Sequence, residues 1–318
     1  MTPSKKKIVY LQHYGGRLGN QLWPSAALYA YCIEKGYEFR NYCFSTYSDE
    51  IEMPVGNWLI WLLFYSPLRK ISFRKWSPLR HWVFPKYTKR TLAKHPETIN
   101  DTVEVDSWRP FYLPPTEVAD TDQARKLKMI EDSGDSAAYV TGWMYRNPIG
   151  MEKYRADIMT AIKPKKKVRT HVSSVLAYPR ANFKHVVGVH FRLGDYRYVE
   201  EKKFFFEPQQ VEKILTEYVT QSGMQTQDIC FVICSDEKLN PDHFKSINAF
   251  FPTGSPAEDL FTLAATDVII GSDSTFGPFA AWYGNVPFII FDRTGIDWEY
   301  YKGKEKFFVT TKPNRVFY

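Results

Sequence analysis

The sequence predicts an α/β protein, and three observations predict it. From Val186 onward the apolar runs VVGVHF, ICFVIC, DVII and PFIIF have the length of buried strands. They alternate with helical stretches such as EPQQVEKILTEYV, which argues for a doubly wound parallel sheet in the C-terminal half. At the other end a strand, KIVYLQHY, meets the glycine-rich GGRLGNQL and then the helical PSAALYAYCIEKG. Gly15, Gly16 and Gly19 allow tight turning there, and Pro24 fits the first turn of the helix, where proline is tolerated. The N-terminal half then becomes irregular before the strand-like AAYVTGW and the helical MEKYRADIMTAI. Between the halves KPKKKVRTH reads as an exposed basic linker, giving domains over 1–170 and 171–318.

A chain of 318 residues is long enough for two α/β domains, and 44% hydrophobic with 24% charged residues is ordinary globular composition. Cys32, Cys43, Cys230 and Cys234 lack metal spacing and read as reduced core filler. The basic MTPSKKK is followed by an apolar run too short for a secretory signal, so cytoplasmic residence is expected.

The chemistry concentrates in HVVGVHFRLGDYR, where an apolar strand runs into His190, Arg192, Gly194 and Asp195. Open α/β sheets bind ligands at such strand C-termini. The fork of Arg192 can grip a phosphate bidentately, His190 can donate from either ring nitrogen, and Gly194 lets the backbone turn close to a ligand. The alternative is a strand end carrying an Arg192–Asp195 surface ion pair. A second donor cluster, Arg17 and Asn20, stands at the start of the first helix, whose amides form an anion site. A third is Ser272, Asp273, Ser274 and Thr275, between strand DVII and the helix near Phe276, where hydroxyls cap the helix or hold phosphate. Capping alone needs only one of them.

In this order, GGRLGNQL, HFRLGDY and SDSTFGPFAAWYGN resemble the motifs of the fucosyltransferase superfamily that uses GDP-fucose. YVTGWMYRNPIGMEKY is similar to the middle signature of the bacterial α-1,2-fucosyltransferases of glycosyltransferase family 11. Those enzymes usually carry two successive arginines in the phosphate motif, whereas Leu193 fills the second position here. A single arginine is closer to the protein O-fucosyltransferases, and the acceptor class stays open between the two. The resemblance implies a GT-B-type architecture of two Rossmann-like domains, with 1–170 on the acceptor side and 171–318 binding the GDP-sugar.

It also implies roles. Arg192, His190 and Asp195 would be catalytic, with Arg192 on the β-phosphate and His190 supporting the same phosphate or the fucose. Gly16, Arg17, Asn20, Arg192, Asp236, Asp259, Ser274, Thr275 and Phe276 would bind the donor, Asp259 at the guanine edge. Two of these have plainer readings: Asp259 complements a helix dipole, and Phe276 is core. The reaction implied is inverting transfer of fucose from GDP-β-L-fucose to a glycan hydroxyl, α-1,2 to galactose, with no metal and no cofactor beyond the donor. Arg192 supplies the charge a metal would give the leaving diphosphate. The Asp120-Thr121-Asp122 string, which could suggest a metal motif, reads as the start of a solvated helix. For the general base the candidates are Asp195, His13 and Glu200.

Residues 53–96 hold nine lysines and arginines among many tryptophans and phenylalanines, from Trp58 and Arg69 to Lys94, with no acidic residue between Glu52 and Glu97. Such a face suits an anionic membrane surface where a lipid-linked acceptor resides, or else packs as a helical insertion. The protein would then be peripheral at the inner membrane surface. A basic nucleic-acid binder is the non-enzyme alternative, suggested by the net charge of +7. Lacking any RNA-binding signature, the chain is expected to bind no nucleic acid. A transferase of another GDP-sugar is the other rival.

Overall fold

The computed structural model describes residues 6–13, 16–41, 44, 46–55, 110–117, 121–132, 137–198, 205–272, 274–292 and 294–301. These fall into two compact units that divide between Lys165 and Lys166. All but the first three residues of the basic aromatic stretch 53–96 lie outside the described residues, as do Cys43, Asp120, Glu200 and Asp273.

In the first unit β1 (Ile8–His13) leads to α1 (Leu18–Lys35) and β2 (Glu38–Asn41), followed by the short β3 (Ile51–Glu52) and β4 (Phe111–Tyr112). Then come α2 (Thr121–Asp132), β5 (Ala137–Thr141), β6 (Tyr145–Arg146), α3 (Pro148–Lys153), α4 (Arg155–Ala161) and β7 (Lys163–Pro164). The main sheet is parallel, in the order β2-β1-β5. Val9 and Leu11 of β1 and Val140 of β5 are fully buried in its core. Asp122 lies in the first turn of α2, paired with Arg125 at 2.6 Å and Lys126 at 3.3 Å.

Two expectations need correction here. The first helix starts at Leu18, not near Pro24, so Gly19 is helical and Pro24 is its seventh residue. Ser25, Ala26, Ala27 and Leu28 around it are fully buried, and that packing outweighs the backbone hydrogen bond a mid-helix proline forfeits. The helix over MEKYRADIMTAI is also broken in two at Tyr154, whose hydroxyl donates to Glu34 of α1 at 2.6 Å.

The second unit opens with α5 (Lys166–Asn182) and β8 (His185–Phe191), then α6 (Pro208–Ser222), β9 (Ile229–Ser235) and the short β10 (Ala249–Phe250). It closes with α7 (Pro256–Ala264), β11 (Val268–Ser272), α8 (Phe276–Gly284), β12 (Phe288–Asp292), β13 (Gly295–Ile296) and α9 (Trp298–Tyr301). KPKKKVRTH is therefore strand and helix, not a linker. Val168, Val172, Val175, Leu176 and Pro179 form a helical apolar stripe beneath its basic residues, and Val168 is fully buried.

Six strands pair in the order β10-β9-β8-β11-β12-β13, parallel except for the edge strand β13. Alternate residues of β8 face opposite cores, as strand geometry requires. Val187, Val189 and Phe191 join Val211, Leu215 and Tyr218 of α6, whereas Val186 joins Cys230, Val232 and Leu176 of α5. Helices thus cover both faces, and near-continuous apolar strands are what such a sheet demands. Cys32, Cys230 and Cys234 are free and buried, and burial pushes the Cys230 thiol up to about 11.

Candidate active site

In the six-stranded sheet the chain proceeds from β8 outward through β9 on one side and from β11 outward through β12 on the other. The order therefore reverses between β8 and β11, and a crevice opens at the carboxyl ends of such a pair. Those ends carry His190 within β8 and Arg192 and Asp195 beyond it, and Ser272 as the last residue of β11 with Ser274, Thr275 and Phe276 beyond it; Asp236 follows the neighbouring β9.

His190 is buried, with its ring stacked on Phe276 at 4.8 Å and 21°. Its Nδ1 lies 3.4 Å from Ser274 Oγ. Burial, reinforced by the Arg192 charge, pushes the imidazole down to about 3, so it is neutral at physiological pH and donates from one nitrogen at a time. Ser274 Oγ also accepts from the Phe276 amide at 3.2 Å, which makes Ser274 the hydroxyl that caps α8. Thr275 occupies the formal cap position without a side-chain cap bond, and Ser272 Oγ is buried without a hydrogen-bond partner.

Arg192 is held as a fork. Its Nε donates to Asp195 Oδ1 at 2.9 Å and its Nη2 to Asp195 Oδ2 at 2.5 Å. The guanidinium carbon sits 4.5 Å from the centre of the Tyr196 ring, a cation–π distance, and Asp236 Oδ2 is 3.9 Å from Nε. Asp236 Oδ1 in turn accepts the backbone amides of Leu193 at 2.9 Å and Gly194 at 3.3 Å. A Cβ on Gly194 would lie 2.5 Å from Asp236 Oδ2, so the close approach that demands glycine is to this carboxylate. Leu193 points into the apolar core, 4% exposed, which explains an aliphatic residue at the position.

Asp259 lies in the first turns of α7, behind a capping box made by Ser255 and Glu258. It is half-buried, and burial together with the adjacent Glu258 charge pushes its carboxyl up to about 7. His171 of α5 packs nearby. Its Nδ1 is 3.9 Å from Glu258 Oε1, and a Cβ on Gly254 would lie 3.3 Å from its Nε2 and 2.9 Å from Asp259 Oδ1. Sequence reading missed His171 by assigning its segment to a linker; the apolar stripe at helical spacing was the signal available. Gly16, Arg17 and Asn20 stand together at the start of α1 in the first unit. Gly16 has φ 93°, and a side chain there would collide with Asn20. Arg17 is exposed and makes no side-chain cap. The base candidates His13 and Glu200 have side chains outside the described residues.

No family model and no curated protein matches this chain. Solved structures do. The chain is similar to an Arabidopsis thaliana FUT1 variant in complex with GDP, with TM-score 0.53 and 13% identity over 91% of this chain and 71% of that one. It is similar to NodZ α-1,6-fucosyltransferase co-crystallised with GDP, with TM-score 0.50 and 17% identity over 91% of this chain and 96% of that one. POFUT1 in complex with GDP aligns at TM-score 0.46 and 12% identity, over 92% of this chain and 100% of that one. At these identities what the first two share with this chain is the fold, a mixed α/β architecture with parallel sheets.

Proposed function

We propose that this chain is a fucosyltransferase that takes GDP-β-L-fucose and transfers fucose, with inversion and without a metal, to a hydroxyl of a glycan. The observation that carries the reading is the convergence of Arg192, neutral His190 and the Ser274 hydroxyl at the strand-order reversal. The likeness in fold to FUT1 and NodZ structures containing GDP supports it.

Each residue then has a physical task. Arg192 faces the β-phosphate and stabilises the charge that grows there as the glycosidic bond breaks; one such donor is worth about 10²–10³ in rate. His190, uncharged, donates a single hydrogen bond, and the Ser274 hydroxyl and the start of α8 offer further donors. The Asp259 carboxylate accepts from the two N–H donors of the guanine edge. Asp236 holds the loop rather than the ligand, since its Oδ1 is occupied by two backbone amides. Asp195 accepts the acceptor's proton. In this GT-B-type reading Gly16, Arg17 and Asn20 are donor-binding residues. The likeness of YVTGWMYRNPIGMEKY favours an α-1,2 link to galactose. Among the described residues no helix is long and apolar enough to cross a membrane, and the membrane-surface reading of 53–96 falls outside them.

Calorimetric titration with GDP, GDP-fucose, GDP-mannose and UDP in EDTA, followed by transfer of labelled fucose to galactosides, tests this. Selective binding of the guanosine nucleotides and turnover of GDP-fucose are expected. Turnover of GDP-mannose alone would move the reading to another GDP-sugar.

A further inference from the structure

The turn that follows Arg192 carries an aromatic ring turned to solvent. Tyr198 is 86% exposed, the most exposed large apolar side chain among the described residues. Single exposed aromatics are ordinary on a protein surface, so place decides what this one means. Its backbone is fixed on both sides. The Tyr198 amide donates to the Asp195 carbonyl at 2.9 Å, and Arg197 beside it donates from Nη1 to Oε1 of Glu237, which follows β9, at 2.7 Å. The Arg197 guanidinium also lies 5.4 Å from the centre of the Phe205 ring. One hydrogen bond thus links Tyr198 to the residue that takes the acceptor's proton in the proposed reaction.

A hydroxyl handed to Asp195 brings its sugar ring with it, and a hexose is wide enough to cover the adjoining turn. A neutral hexose offers no charge to recognise. It offers hydroxyls around its rim and patches of C–H on its faces, whose partly positive hydrogens suit the negative face of an aromatic ring. Tyrosine supplies that face at low entropic cost, having two side-chain torsions to fix. Arg197 and Glu237, both partly exposed, supply hydrogen-bonding atoms beside it. We infer that Tyr198 is the platform on which the acceptor's sugar ring stacks, and that it selects for galactosides, whose C–H groups at C3, C4 and C5 lie contiguous on one face. The inference rests on the proposed transferase site and names what holds the second substrate there.

Kinetics with methyl β-galactoside and methyl β-glucoside as acceptors, in wild type, Tyr198→Phe and Tyr198→Ala, test the platform. Tyr198→Phe keeps the ring face and is expected to match wild type, whereas Tyr198→Ala raises the KM for the galactoside about tenfold and flattens the preference over the glucoside. GDP affinity by calorimetry is expected to be the same in all three, which separates acceptor from donor recognition and shows that each variant keeps its nucleotide site. An unchanged galactoside KM in Tyr198→Ala, or an equal rise in Tyr198→Phe, would overturn the platform while leaving the nucleotide site standing. So would a wild type that binds GDP and fucosylates no galactoside. Wild type that binds no guanosine nucleotide would overturn the proposed function, and the platform with it.

Discussion

Two arginines stand in motif-like segments close to strand ends, and the fold treats them in opposite ways. Arg192 follows β8, 18% exposed, its charge met by Asp195 and Asp236. Arg146 ends β6 and is among the most deeply buried residues described. Its Nη1 donates to the carbonyls of Trp143 at 3.0 Å and Tyr145 at 2.8 Å, and its guanidinium lies 5.8 Å from the Trp23 ring. Burial pulls its pKa down to about 9. Next to it, buried Asn147 caps α3 through Gly150 and donates to the Pro114 carbonyl at 3.0 Å. Residues 145–147 therefore tie loops of the first unit together, whereas Arg192 presents a fork at a strand end. An arginine in a motif reads as a ligand only when its surroundings leave it exchangeable partners.

The largest effect expected from this contrast is on Arg146. Arg146→Ala leaves the Trp143 and Tyr145 carbonyls short of a donor and opens a cavity, destabilising by about 3–5 kcal/mol. Chemical denaturation monitored by circular dichroism checks this, and a variant as stable as wild type would break the comparison. Arg192→Ala is expected to invert the pattern. Transfer falls by about 10²–10³ while the unfolding midpoint in denaturant stays close to that of wild type, because the side chain is partly exposed and packs mainly on Tyr196. Parallel kinetics and melts read both quantities, and wild-type turnover in Arg192→Ala would remove it from the mechanism.

How far the sequence could be read follows the same division. The strands of the second unit were legible because a parallel sheet covered on both faces leaves long apolar runs, and β8, β9, β11 and β12 fall on VVGVHF, ICFVIC, DVII and PFIIF. The meeting of His190 with Ser274 was legible because the carboxyl ends of neighbouring parallel strands lie on one side of such a sheet. The rest was hidden by long-range packing. That Asp236 anchors the Leu193–Gly194 turn depends on two strands pairing 44 residues apart. Pro24 misplaced the start of α1 because local preference cannot see the burial that overrides it. Lys165, Lys166 and Lys167 concealed the apolar stripe of α5, and with it His171. The burial of Arg146 had no sequence signal, since Tyr145–Arg146 reads equally well as a surface pair.

Asp259 sharpens the comparison at the smallest expected effect, because it sets stability against binding within one side chain. Its folded pKa of about 7 lies above the ordinary carboxylate value of 3.8, so the folded state holds the proton more tightly than the unfolded chain. The sign follows: the acid form favours folding, and stability is lost as pH rises from about 4 through 7. Asp259→Asn escapes that loss and is expected to melt above wild type at pH 8, with the gap closing near pH 4. In the proposed reading guanine binding runs the other way, because the N–H donors of the base need an ionised acceptor. Wild-type affinity for GDP should weaken about tenfold between pH 7.5 and pH 6, whereas Asp259→Asn binds weakly and nearly independently of pH over the same range. Titrations of both proteins across that window decide the point. A gain in melting temperature without the loss of pH-dependent binding would leave Asp259 as a buried acid at a helix start, complementing the dipole of α7 and touching no nucleotide.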